Sequence, residues 1–333
     1  MKKLPKIVVI GGGTGTYTVL TGLREYPVEL SAIISMADTG GSNRVLRDEF
    51  GILPTSDIRQ ALVALSDDKG DRDIFRQLFA YRFHQGTGIN GMTFGNLFMA
   101  ALTDILNSQL KAIEETEKIL HIKGKILPVT LTDVQLLARY ENGHQVVGEH
   151  YIDEPKHNGK LQIVELETIP KAKAYPKAVK AIKEANLVVI GPGDLYTSII
   201  CNLIIDGIPQ ALKSTRAKVV YVMNLMARYG QTYKFSARDH LKVLQKYLGD
   251  KTIDYILVNN NFKFPSPVLK KYKEENSFPV KDDLGISADA EPKIIRADLI
   301  SKFVYQKEAG DKLQRSMIRH DPQKLAKVIV NLL

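Results

Sequence analysis

The sequence predicts a doubly wound α/β protein: a Rossmann-like, mostly parallel sheet carrying an antiparallel β insertion. Three observations carry that prediction. A short apolar run from Lys6 to Ile10 ends in Gly11-Gly12-Gly13 and leads straight into a helical pattern. A second mouth of the same kind, Val188-Val189-Ile190-Gly191-Pro192-Gly193-Asp194, recurs in the second half of the chain. Between the two, helical spacing gives way to alternation of apolar and polar residues.

The elements follow in order. Thr14 to Glu25 places Tyr17, Leu20 and Leu23 at helical spacing, and Glu29 to Ser35 returns to a strand. Helical patterns run at Ser56 to Leu65, Asp71 to Tyr81 and Gly95 to Thr116. Alternation marks Val134 to Tyr140, Val146 to Tyr151 and Leu161 to Leu166, with a hairpin turn at Asn142-Gly143, where Asn-Gly tolerates positive φ. Pro176 to Glu184 reads as helix, Leu187 to Ile190 as strand, and a further helix starts after Asp194. Lys218 to Met223 and Ile253 to Val258 are strands on either side of a helix at Ser236 to Leu248. The stretch Phe262 to Ser287, rich in Pro, Lys and aromatics, reads as irregular. A closing helix spans Asp321 to Leu332, with Asp321 as its N-cap and Pro322 in its first turn. The chain thus divides into residues 1–122, the first part of a nucleotide-binding body, a β insertion at 123–170, and the rest of the same body at 171–333.

Composition sets the limits. The 333 residues hold 46 Lys+Arg against 37 Asp+Glu, a net +9, with 44% hydrophobic residues, which excludes wholesale disorder. The single cysteine, Cys201, excludes an internal disulfide framework and a cysteine-based zinc module. No apolar run reaches the roughly 18 residues of a membrane span. The opening MKKLPKIVVIGGG has a short apolar part that runs into glycines, which fits a buried first strand better than a signal peptide. A cytoplasmic, soluble protein is expected. Residues 1–160 hold 18 basic and 19 acidic residues, and residues 161–333 hold 28 and 18. The lysines of the basic half (Lys171, Lys173, Lys177, Lys180, Lys183) lack interleaved stacking aromatics and read as a solvated helix face. Neither nucleic acid nor membrane insertion is expected; attraction of an anionic small molecule is.

Chemistry concentrates in the loops. Glycines at Gly12, Gly13 and Gly15, with Thr14, let a backbone approach a phosphate, and the following helix N-terminus offers free N–H groups. The run is neither a P-loop nor a strict dinucleotide fingerprint, because no Gly-Lys-Ser/Thr follows and Thr16 stands at the third glycine. Asp38-Thr39-Gly40-Gly41-Ser42-Asn43-Arg44, after the second strand, looks like another loop folded around phosphate. Asp38 also lies where a dinucleotide fold places its ribose-binding acid, which keeps an NAD reading open. Asp57 falls in the first turn of a helix, where dipole stabilisation and metal binding are both open; with Asp38 it forms a candidate magnesium pair. Asn96 opens an apolar helix as a cap or a ligand contact. Gly193, Asp194, Tyr196 and Ser198 form the second strand–loop–helix mouth, and two such mouths imply a crevice where strand order reverses. Asn224 follows another strand and falls where a polar side chain is expected to face the same crevice. His144, His150 and His157 read as surface residues on or near the hairpin, and no histidine pair has metal-ligand spacing. Cys201 reads as inert packing.

The set GGGTG, ADTGGSNRVLRDEFGILPTSDIRQAL, GNLFMAAL, GPGDLYTSII and VYVMNLM resembles the bacterial YvcK family, the gluconeogenesis factors, similar in fold to the CofD phospholactate transferases. The resemblance spans nearly the whole chain. It implies a cytoplasmic protein that binds UDP-sugars such as UDP-N-acetylglucosamine and acts in cell shape and envelope homeostasis during gluconeogenic growth, with no established turnover and no catalytic residue. It implies that Gly12 to Gly15, Thr39 to Asn43, Asn96 and Gly193 to Ser198 line the nucleotide site. It further implies that Tyr272 and Arg319 contact the sugar nucleotide, and that magnesium, where used, sits on Asp38 and Asp57. Some family members carry a threonine kinase site directly after Arg-His-Asp; here that position is Pro322. A homodimer and a protein partner of unspecified identity are expected. The alternatives are a CofD-like magnesium-dependent phospho-acyl transferase, which works largely by positioning and charge neutralisation, and an NAD-dependent oxidoreductase.

Overall fold

The computed structural model describes residues 3–40, 47, 51–66, 72–285, 292–305 and 316–333. Seven strands form one parallel sheet: β1 (Lys6–Gly11), β2 (Glu29–Ile34), β3 (Lys125–Pro128), β4 (Leu187–Ile190), β5 (Lys218–Val222), β6 (Tyr255–Asn259) and β7 (Lys293–Ala297). Their spatial order is β7-β6-β5-β4-β1-β2-β3, so the winding reverses between β1 and β4. Central parallel strands are covered on both faces, and that is why Ile7 to Ile10 and Leu187 to Ile190 are continuous apolar runs.

The pleat sends alternate residues to two cores. Ile7 and Val9 join α1 (Gly13–Leu23), α2 (Ser56–Leu65), Phe79 of α3 (Arg72–Ala80), Met99 of α4 (Phe94–Leu106) and α5 (Gln109–Ile119). Val8 and Ile10 join the other face, with α6 (Glu149–Asp153), α7 (Pro176–Glu184), α8 (Ile208–Ser214) and α9 (Ala237–Leu248). The helix α10 (Ser266–Glu274) packs over a smaller cluster with Leu225 and Ile300, and α11 (Pro322–Val330) closes the first face against α1. That last contact depends on Gly22: a Cβ there would lie 2.8 Å from the Pro322 carbonyl carbon. Asp321 caps α11 as expected, accepting hydrogen bonds from the backbone N–H groups of Gln323 and Lys324, both at 3.0 Å.

The structure corrects four expectations. Lys125–Pro128 pairs in parallel with β2 and so belongs to the main sheet, and the insertion begins after it. Its three antiparallel strands are Gln135–Tyr140, Gln145–Val147 and Ile163–Ile169. The run Val146 to Tyr151 is not one strand: Gly148, at φ +101°, ends the strand and the acidic Glu149 starts α6. The helix after Asp194 is a π-helical turn, Leu195–Ile200, whose carbonyls at Thr197 and Ser198 accept from Cys201 Sγ and Asn202 Nδ2. The segment 262–285 holds α10, whose prolines lie at its N-terminus, where the absent N–H costs nothing.

Candidate functional site

The turns after β1 and β4 meet at the reversal of strand order, where ligands of open α/β sheets bind. Gly15 makes the meeting possible. A Cβ there would stand 2.5 Å from the Pro192 carbonyl carbon and 3.0 Å from Gly193 N. The N-cap of α1 is Gly12, with no side-chain cap bond and no acid in the first turn, so the first N–H groups of the helix face the cavity unshielded by carboxylates of their own helix. The cavity encloses about 430 Å³.

Gly12, Gly13, Thr14, Gly15, Asp38, Gly40, Asp57, Asn96, Gly193, Asp194, Ser198, Asn224 and Arg319 all line it. Gly41, Ser42 and Asn43 lie outside the described residues. Three expected contacts lie elsewhere. Thr39 turns its hydroxyl to accept the His150 N–H at 3.1 Å, next to the lining pair Asp38 and Gly40. Tyr196 is buried and donates to the Ile163 carbonyl at 3.0 Å, tying the second loop to the β insertion. Tyr272 is buried as well and does not line this cavity; its hydroxyl is committed to the backbone N–H groups of Met317 and Ile318. In each case a hydroxyl near the crevice satisfies a backbone polar group instead.

Asn96 is not the helix cap. Thr93 takes that role, and Asn96 accepts from Arg59 Nε at 3.0 Å while donating to Ser56 Oγ at 3.0 Å. It thereby fixes a buried arginine at the cavity wall. Asn224 holds the second loop in shape by donating to the Gly193 carbonyl at 2.6 Å.

The β insertion supplies what the motifs did not announce. Its α6 brings Glu149, His150 and Asp153 to the cavity, so His150 is a lining residue rather than a surface one. Arg228, after β5, pairs with Asp153 at 2.7 Å and with Asp194. Gln231 bridges Asp153 Oδ1 (2.9 Å) and Thr197 Oγ1 (3.0 Å). This network joins the insertion to the second glycine loop. Burial raises the Glu149 carboxyl well above its ordinary range, and Asp38, Asp153 and Asp57 push the same way. Burial also raises Asp153, against the opposing pull of Arg228. For Arg228 burial lowers the guanidinium's value, but Asp153, Asp194 and Glu149 prevail and keep it charged. Arginines 59, 82, 228 and 319 all reach the cavity, a set suited to an anion that the carboxylates alone would repel.

Asp57 lies against the first loop: a Cβ on Gly12 would stand 3.3 Å from its carboxyl carbon. Hard carboxylate oxygens beside a glycine loop fit magnesium, which takes one or two carboxylates and fills its shell with ligand oxygens and water. Among the described residues no three His, Cys, Asp or Glu side chains are grouped to hold an ion. Asp38 and Asp57 would therefore hold magnesium only together with ligand oxygens.

A model of the family described as 2-phospho-L-lactate transferase CofD matches residues 7–300. A protein of Bacillus subtilis described as a gluconeogenesis factor is 37% identical over 333 residues, covering 100% of this chain and 99% of its own. One of Halalkalibacterium halodurans with the same description is 36% identical over 330 residues, covering 99% and 97%. A crystal structure of a Bacillus halodurans protein superposes with a TM-score of 0.88 at 34% identity, covering 98% of this chain and 100% of that one. A second, of a protein described as a member of the upf0052 family, gives 0.87 at 33%, covering 99% and 100%.

Proposed function

The chain belongs to the CofD family, and from that premise we propose that it is a nucleotide-sugar-binding regulator. The relatives' description as gluconeogenesis factors supports a role connected with gluconeogenesis. The ligand in this reading is a UDP-sugar of the UDP-N-acetylglucosamine kind, and its occupancy is what a partner protein reads, in cell shape and envelope homeostasis on gluconeogenic carbon. The protein works in the cytoplasm as a homodimer. No described helix is long and apolar enough to cross a membrane.

One observation carries the reading: two glycine loops meet where the strand order reverses, with the N-terminus of α1 and four arginines around them. The diphosphate lies over Gly12 to Gly15, held by backbone N–H groups and helix dipole. The arginines offset its charge and that of Glu149, Asp153 and Asp57. Calorimetric titration with UDP-N-acetylglucosamine tests it, with UDP-glucose, GDP and NAD as comparisons, each with and without magnesium. Selective micromolar binding of the UDP-sugar without its breakdown is the expected result. Tight, magnesium-dependent GDP binding with no response to UDP-sugars overturns it.

The second reading, magnesium-dependent phospho-acyl transfer, is favoured by the position of Asp57 against Gly12. A carboxylate and a phosphate at this approach repel each other, and magnesium between them reverses that sign. A tyrosine-lined cavity of about 940 Å³ shares Asp153, Asp194 and Arg228 with the first and offers room for an acceptor. GMP release from an acid activated as its guanosine diphosphate derivative, dependent on added alcohol and magnesium, would establish it.

A further inference from the structure

The Tyr272 hydroxyl accepts the Met317 N–H at 2.8 Å and the Ile318 N–H at 3.1 Å. Tyr272 is 5% exposed and packs with Leu225, Ile300 and Ile318. The opposite edge of the same segment is held too. Tyr305 N–H donates to the Met317 carbonyl at 2.9 Å, and Ser301 N–H donates to the Arg319 carbonyl at 2.9 Å. Arg319, one residue beyond the clamped amides, reaches the nucleotide cavity with its guanidinium 3.5 Å above the Tyr305 ring and its Nε donating to the Ser316 carbonyl at 3.0 Å.

We propose that Tyr272 is a positioning residue: it contacts no ligand and sets affinity by clamping the Met317–Ile318 backbone that aims Arg319 into the cavity. Two adjacent backbone donors inside an apolar cluster need an acceptor, and a phenol oxygen with two lone pairs supplies both bonds from one side chain. Burial raises the phenol above its ordinary value, so it remains a neutral acceptor. Without that oxygen, Met317 and Ile318 must turn their N–H groups toward another partner. The backbone then rotates, and Arg319 moves with it. A guanidinium is useful to a phosphate only in fork geometry, so a small rotation is costly in affinity.

The affinity arm rests on the nucleotide-sugar reading, whereas the exchange arm does not. The full chain, Tyr272→Phe, Arg319→Ala and the double variant are titrated with UDP-N-acetylglucosamine. Tyr272→Phe keeps the packed ring and is expected to lose about tenfold in affinity. In the Arg319→Ala background the same change is expected to cost less than about twofold, because its effect passes through Arg319. Equal losses in both backgrounds mean an independent contribution and overturn the proposal, as does an unchanged affinity for Tyr272→Phe. Ile300→Val, in the same cluster, is the control: it is expected to lower Tm and leave affinity intact, and a matching affinity loss there reduces Tyr272 to packing. Hydrogen exchange on the ligand-free protein is expected to speed up at Met317 and Ile318 in Tyr272→Phe. Unchanged exchange there overturns the clamp whatever the ligand. If the parent protein binds no UDP-sugar, the functional reading fails and exchange alone decides the clamp.

Discussion

Gly15→Ala adds one methyl group and no charge, at the point where the two glycine loops touch. The added carbon would sit 2.5 Å from the Pro192 carbonyl carbon and 3.0 Å from Gly193 N. Carbon pairs settle at about 3.5–4.0 Å, so the loops must part by about 1 Å. Both opposing groups are backbone, and no rotamer change relieves the overlap. Overpacking of this kind costs about 3 kcal/mol at the upper end of its usual range, and alanine's better helix propensity returns less than about 1 kcal/mol. A net loss of about 2 kcal/mol follows, which lowers Tm by about 3 °C in a chain of this size. A backbone donor displaced by about 1 Å leaves hydrogen-bonding range, so nucleotide-sugar affinity is expected to fall at least tenfold, roughly the worth of one charge-assisted bond. Scanning calorimetry and titration check both figures. The comparison is Gly285→Ala, outside the cavity, where an added Cβ meets nothing within 4 Å. If the two variants behave alike, the close approach of the loops is not a feature of the protein.

Arg228→Met removes the cation between Asp153 and Asp194 and is expected to destabilise by about 2 kcal/mol, the part-exposed carboxylates moderating the fully buried value. The deficit should shrink as pH falls and the raised Asp153 protonates, which thermal melts across pH will show. His240 is fully buried, with Nδ1 2.9 Å from the Ser236 carbonyl, and burial pushes it down to about 4 from 6.5. Between those values the unfolded chain binds more protons than the folded one, so this contribution, about 3 kcal/mol, is full above pH 6.5 and is lost as pH falls toward 4. His240→Gln should therefore flatten the acid side of the Tm profile relative to the parent. Asp321→Ala orphans the N–H groups of Gln323 and Lys324 and is expected to cost about 1 kcal/mol in denaturant unfolding, with its binding isotherm unchanged.

Local chemistry was readable along the chain. The Gly11–Gly13 and Gly191–Gly193 turns announced themselves, because a buried strand that feeds a glycine loop and then a helix is how a doubly wound sheet opens each of its ligand-facing turns. The crevice they imply is present between β1 and β4. Asp321 was readable as a cap because capping acts over two or three residues. β3 was not, since it is a four-residue run beside an alternating segment and only its pairing with β2 separates the two. Nor was α6, a five-residue helix set inside strand-like alternation.

Side-chain direction divides what was legible from what was not. Period and backbone freedom of neighbouring residues suffice for the parallel sheet and the two glycine mouths, including the glycine turn that opens α1, and these were legible in the chain alone. Packing, not the local pattern, sets Tyr196 and Tyr272 to serve the backbone while Glu149, Asp153 and Arg228 form a cavity wall. Arg228 meets Asp194 across 34 residues and Asp153 across 75. Burial demands a partner for each polar group, but packing between distant segments chooses which one it gets.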